Sequence, residues 1–230
     1  MLCALLPALA PAAQVAVYVT VVSSSGVVRI GRDTSVVVWL TPLADQAGPR
    51  LHAQSEPHPR LVQKNKRFDP HVLAVEVNSR VDFPNHDPFF HNVFSLFEGK
   101  RFDLGLYEAG STRSVRFDRA GVCYIFCNIH PEMSAVVVVI DTPYFVVSQG
   151  REEILIPNVP PGRYQLNLWE EHCTSKTLKE LSRQVTVGEE TTSLGSFHLQ
   201  ESGEPVTDHL NKYGQQYDPK VFSGPVYVQP

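Results

Sequence analysis

The densest chemistry in the sequence is Cys127-Asn-Ile-His130-Pro-Glu-Met133, which follows the apolar run Val122–Phe126. A second histidine, His91, stands upstream in Phe-Phe-His91-Asn92-Val93. Thiolate and thioether are soft donors and imidazole is borderline, so Cys, two His and Met together suit copper better than magnesium, calcium or manganese. Two imidazoles and a thiolate can form a trigonal plane, with Met133 as a weak axial ligand. One tight loop can bring Cys127, His130 and Met133 to a single ion, whereas His91 has to arrive from a neighbouring strand. Each signal alone is weak, because a Cys-x-x-His is common by chance and a lone Met or His is more often core or loop. A structural zinc site is the chemical rival, yet zinc has little use for Met. A nucleophilic Cys127–His130 pair is another, but no oxyanion motif accompanies it.

Such a ligand set needs a scaffold of strands with loops meeting at one end. The chain has 230 residues, with 18 Pro and 14 Gly and only 19% charged residues, which points to many short strands joined by turns. Gln14–Val22 and Thr34–Leu40 read as strands around a Ser-Ser-Ser-Gly turn, and the polar stretch Ala44–Pro59 reads as a linker. Further strands are expected at Leu61–Lys64, Val72–Val77, Arg80–Phe83, Asn92–Leu96, Ser114–Phe117, Val122–Phe126 and Ala135–Ile140. A second block has them at Ile154–Ile156, Tyr164–Leu168, Gln184–Val187 and Leu194–His198, with one short helix over Thr177–Arg183. The net charge of −4 and the absence of a basic run exclude nucleic acid as the expected partner. Four Cys in a chain of this length are too few for a disulfide scaffold. Residues 1–13, uncharged and apolar, read as the remnant of a signal peptide; Pro7 and Pro11 speak against an integral membrane segment.

Residues 60–141 resemble a cupredoxin, a small blue-copper electron-transfer domain, on the strength of His91-Asn92 and Cys127-x-x-His130-Pro131-x-Met133. The ligand loop is similar to that of the amicyanin type. The segments Phe68-Asp-Pro70, Val81-Asp-Phe-Pro-Asn85 and Gly121-Val-Cys-Tyr fit the framework strands of the same family. The resemblance implies one type 1 copper ion held by His91, Cys127, His130 and Met133. It implies that Asn92 ties the two ligand loops together by hydrogen bonds, and that Pro131, lacking an N–H, removes a donor near the sulfur. It also implies that His130 reaches the surface as the electron port, ringed by Phe89, Phe90 and Pro131, an apolar rim suited to weak docking. Outside that set, His86 reads as a surface histidine or a perturbing second metal position. Cys123 reads as a small buried hydrophobe, a disulfide partner of Cys173 or a redox liability, and the pair His172-Cys173 is a weak metal signal. His52, His58, His71, His198 and His209 read as solvated.

The stretch Gly150-Arg-Glu-Glu-Ile154-Leu-Ile156-Pro-Asn-Val159-Pro-Pro-Gly162-Arg-Tyr164-Gln-Leu166-Asn-Leu168-Trp169 resembles the carboxypeptidase regulatory-like, transthyretin-like β-sandwich. Pro160 and Pro161 fix φ in its turn, and Gly162 is expected to supply a positive φ. The fold class expected is therefore all-β: a cupredoxin Greek-key β-sandwich plus a second small β-sandwich, with the cupredoxin (60–141) inserted between residues 14–45 and 142–200. Residues 201–230 read as an extended tail. Chains of this combination resemble the methylamine-utilisation-like group. The function implied is that of an exported, periplasmic copper protein, not an enzyme, carrying single electrons between redox partners such as a c-type cytochrome or a periplasmic dehydrogenase. The alternative is a copper-binding protein that stores or delivers Cu(I), which the scarcity of Met, two in the chain, disfavours.

Overall fold

The computed structural model of the protein describes residues 13–29, 34–43, 58–96, 100–202 and 210–217. Of the leader reading at residues 1–13 all but Ala13, which opens a strand, lies outside these residues, as do most of the linker reading, His52 and His209. The chain divides into two compact units, Met1–Arg50 with Tyr144–Glu201, and Leu51–Pro143 with Ser202–Pro230. It begins in the first unit with β1 (Ala13–Val22), β2 (Val28–Arg29) and β3 (Val37–Pro42). The second unit follows with β4 (Val62–Lys64), β5 (Arg67–Asp69), β6 (Val72–Glu76), β7 (Arg80–Pro84), β8 (His91–Ser95), β9 (Phe102–Tyr107), β10 (Thr112–Arg116), β11 (Gly121–Cys127) and β12 (Ser134–Ile140). The first unit is then completed by β13 (Phe145–Val147), β14 (Glu153–Val159), β15 (Gly162–Trp169), α1 (Ser175–Leu181), β16 (Arg183–Val187) and β17 (Thr192–Gln200).

Period-two valines build the first unit. Val15, Val17, Val19 and Val21 of β1 all point into one core with Val38, Leu40, Ile154, Ile156, Leu166 and Leu168. The order β14-β1-β17, with β2 added on β1, makes one sheet and β13-β3-β15-β16 makes the other. The turn between β14 and β15 departs from expectation. Gly162 is not in the left-handed region; Asn158 takes it, with φ 56°. Asparagine tolerates that conformation, and the two prolines then lead straight into β15, braced by the Tyr164 hydroxyl donating to Pro160 O at 2.8 Å. The short helix starts two residues earlier than expected because Thr174 caps it, its side chain accepting from the Thr177 N–H.

The second unit is an all-β sandwich. Its main sheet runs β6-β12-β11-β8-β9, while β10-β7 and β4-β5 form smaller pairs. The two smaller pairs are joined by bridges from Arg60 to Asp82 and Gln63 to Asn85. Leu61, Phe83, Phe117, Ile125, Val137 and Val139 fill the core, and Cys127 and Met133 belong to the same cluster. Strand β9 escaped the sequence reading because Asp103 and Gly105 are poor strand formers. Pairing with β8 holds it nonetheless, through an irregularity between Asn92 and Phe94 and a positive φ of 68° at Gly105.

Candidate metal centre

Two strand ends place the ligands. His91 opens β8 opposite Tyr107 of β9, and Cys127 closes β11 opposite Val93 of β8, so both side chains come to one end of the main sheet. Between Cys127 and Ser134 the chain makes a closed loop, with Cys127 N donating to Met133 O at 3.2 Å and Met133 N donating to His130 O at 3.0 Å. This loop folds His130 and Met133 back over the strand end. His91 Nδ1 lies 3.6 Å and His130 Nδ1 3.5 Å from Cys127 Sγ. The ligand atoms of these three residues all fall within 4.8 Å of one another. His91, Cys127 and Met133 are fully buried, and His130 keeps 9% exposure.

The orientation of His91 is fixed from behind. Its Nε2 is 2.9 Å from Asp87 Oδ2, so Nε2 carries the proton and Nδ1 presents a lone pair to the centre. Asp87 is itself held, accepting from Asn65 N at 2.6 Å and Lys66 N at 3.0 Å. Burial would raise its carboxyl, but the N–H of Lys66, the His91 ring and the N–H of Asn65 outweigh it and hold it below the usual carboxylate range. Asn85 braces the same loop, donating to Phe89 O at 2.8 Å and accepting from Asp87 N at 3.0 Å. Sequence reading missed Asp87; its place four residues before His91 was the available signal.

Electrostatics leave the donors neutral when no metal is bound. Burial lowers the His91 pKa, and burial together with the neighbouring His91 brings His130 down to about 4. Burial pushes the Cys127 thiol up, only partly offset by the backbone N–H groups of Asn92, Ile129 and His130. A thiol of that kind becomes a thiolate when a metal replaces its proton. Two imidazole nitrogens within 3.6 Å of one buried sulfur, with the buried thioether residue Met133 in the same loop, fit copper by donor chemistry.

Other expected residues are placed as follows. Asn92 reaches the cysteine through its backbone N–H, whereas its side chain donates to Asp103 Oδ1 at 2.6 Å rather than bridging the loops directly. His130 is more enclosed than an open port would be: Phe89 packs against it at 5.5 Å between ring centroids and against His91 at 5.2 Å. Phe90 and Pro131 are half-buried, and His86 is exposed. Cys123, Cys127 and Cys173 are free thiols, and Cys123 is buried against Ser95 Oγ at 3.3 Å. The disulfide alternative for Cys123 and Cys173 is therefore set aside.

His172 joins a second cluster with Glu170 and Glu201 in the first unit. Both carboxylates there already have basic partners: His172 Nδ1 sits 3.1 Å from Glu170, and the Arg29 guanidinium 3.0 Å from Glu201. We read this group as a charge-compensated network.

No protein-family model matches the chain, and no curated protein matches it. Among solved structures, the chain is similar to a purple cupredoxin from Nitrosopumilus maritimus, at 22% identity and a TM-score of 0.33 over 36% of this chain and 99% of that one. A point mutant of amicyanin in its reduced Cu(I) form is similar at 21% identity and a TM-score of 0.35, over 37% of this chain and 85% of that one. A copper-containing nitrite reductase from Thermus scotoductus is similar at 22% identity and a TM-score of 0.35, over 36% of this chain and 22% of that one. No helix among the described residues is long and apolar enough to cross a membrane.

Proposed function

We propose that the chain binds one copper ion through His91, Cys127, His130 and Met133 and carries single electrons between redox proteins, rather than acting as an enzyme. The observation that supports this best is the convergence of both Nδ1 atoms on Cys127 Sγ at 3.5–3.6 Å, with His91 locked by Asp87. Bound copper supplies the change of one unit of charge. The protein's own part is to hold the donors still: strand pairing fixes Cys127 and His91, the closed loop fixes His130, and core packing fixes Met133. Small rearrangement between oxidation states is what a carrier requires. The near-complete burial of the ligands favours an ion that stays over one handed on, and so favours the carrier over the Cu(I) storage reading.

The slim exposed edge of His130, beside Phe89 and Pro131, is the proposed contact for a partner such as a c-type cytochrome or a periplasmic dehydrogenase. Export to the periplasm is part of the same proposal, and the first unit is proposed as a transthyretin-like docking or stabilising module. Visible absorption and electron spin resonance after adding Cu(II) test the reading. An intense thiolate-to-copper band that is lost in Cys127→Ser is the expected result. A Cys127→Ser protein that kept the band would overturn the ligand assignment, and a colourless wild type holding one equivalent of Cu(I) would move the reading to storage.

A further inference from the structure

The segment read from sequence as a tail is bonded to the metal-bearing unit. We infer that residues 210–217 form a strap that holds the two ligand-bearing segments in register, with Lys212 and Tyr217 as its positioning residues. The strap is a fixed turn before it is a clamp: Gly214 N donates to Asn211 O, Asn211 N donates to Gln215 O, and Asn211 Oδ1 accepts from the N–H groups of Tyr213 and Gln215. Gly214 sits at φ 75°, where a side chain would be strained. From this turn the Lys212 backbone N–H donates to Asn128 Oδ1 at 2.9 Å, and Lys212 Nζ donates to Asp103 Oδ2 at 2.7 Å. The other oxygen of Asp103 accepts from Asn92. A continuous path therefore runs from His91 through its neighbour Asn92 to Asp103, Lys212 and Asn128, and so to Cys127. A second attachment lies alongside it, the Tyr217 hydroxyl donating to the Cys127 carbonyl at 3.2 Å.

The exposed Lys212–Asp103 ion pair would be worth little alone. Here it shares Asp103 with buried Asn92 and is joined by two further bonds to the cysteine segment, so the strap restrains both segments at once. Its positioning of a metal rests on the copper reading; the mechanical role does not.

The double variant Lys212→Met/Tyr217→Phe in the full-length chain tests both. In the metal-free protein, amide exchange at Cys127 and Met133 should quicken roughly tenfold, the loss expected for about 1.4 kcal/mol of hydrogen bonding. The Val137 amide in β12 should be unchanged, which shows that the sandwich is still folded. After copper is added, the thiolate-to-copper band should shift and the copper hyperfine splitting change. Unchanged exchange at Cys127 and Met133 would overturn the strap. Faster exchange with an unaltered copper spectrum would overturn its positioning of the metal. If the wild type gives no copper band, the copper reading fails, and the exchange measurement still decides whether the strap holds the loop.

Discussion

Asp87→Asn removes one charge and changes almost nothing in shape. Asp87 is 4% exposed and accepts three hydrogen bonds, one from Asn65 on Oδ1 and two, from Lys66 and His91, on Oδ2. An asparagine has one accepting oxygen. If its NH2 takes the Oδ2 position it meets two donors; if it takes the Oδ1 position it meets one, the Asn65 N–H. The second choice wins, so one buried donor is left unpaired and the remaining two bonds lose charge assistance. Bonds to charged groups contribute about 1.5–3 kcal/mol each, and an unmatched buried donor costs about 1–3 kcal/mol, so a loss of roughly 2–4 kcal/mol is expected in the metal-free protein. The His91 ring is also freed to turn or change tautomer, which should weaken metal binding by roughly 10–100-fold. Denaturant unfolding without metal and copper competition against a chelator measure the two effects separately. Unfolding free energy and copper affinity both within error of the wild type would refute the account of how His91 is held.

Met133→Gln should keep the ion but move the absorption band and lower the potential, since an amide oxygen stabilises the oxidised ion more than a thioether does; spectroelectrochemistry checks it. In the first unit, Leu166 is fully buried, and Leu166→Ala should cost about 2–5 kcal/mol in denaturant unfolding while leaving the copper spectrum intact. That unit should also show a window of pH stability. The Glu170 hydrogen bond raises the His172 pKa, so this contribution is complete below the ordinary value of 6.5 and fades as pH rises through the folded value. Despite burial, chiefly the His172 hydrogen bond holds Glu170 below its ordinary 4.5, so its contribution is present above that value and fades as pH falls through the folded one. Urea unfolding across this window should show a plateau with two falling limbs, and Glu170→Gln should flatten both.

What could be read in the sequence was whatever local pattern encodes. Alternating valines in β1, the Val159-Pro-Pro-Gly162 connection and the Cys127-to-Met133 loop each carry their meaning within about ten residues. What escaped depends on partners far apart in the chain. Asp103 and Gly105 argue locally against β9, which exists because β8 pairs with it. Lys212 and Tyr217 look like polar tail residues, and their partners Asn128, Asp103 and Cys127 are 84, 109 and 90 residues away. Asp87 lay closer, four residues before His91, but that spacing alone does not say which of its neighbours the carboxylate will face. Glu201 joins Glu170 and His172 only because β17 ends beside the loop after β15.

The proposed sulfur ligands belong to the core itself, and this bears on how the site is built. Cys127 and Met133 pack in the cluster that contains Phe83, Ile125 and Val137, so the packing that stabilises the sandwich also sets the sulfur positions. Burying a charged donor set there would be costly. The structure avoids that cost, because without metal the thiol is protonated and both ring systems are neutral at neutral pH. The charge bonded directly to the donor set is the Asp87 carboxylate, which three donors satisfy. The candidate centre is thus part of a neutral core without a metal. A bound metal would replace one thiol proton, and the imidazoles would stay where Asp87 and the Cys127–Met133 loop already hold them.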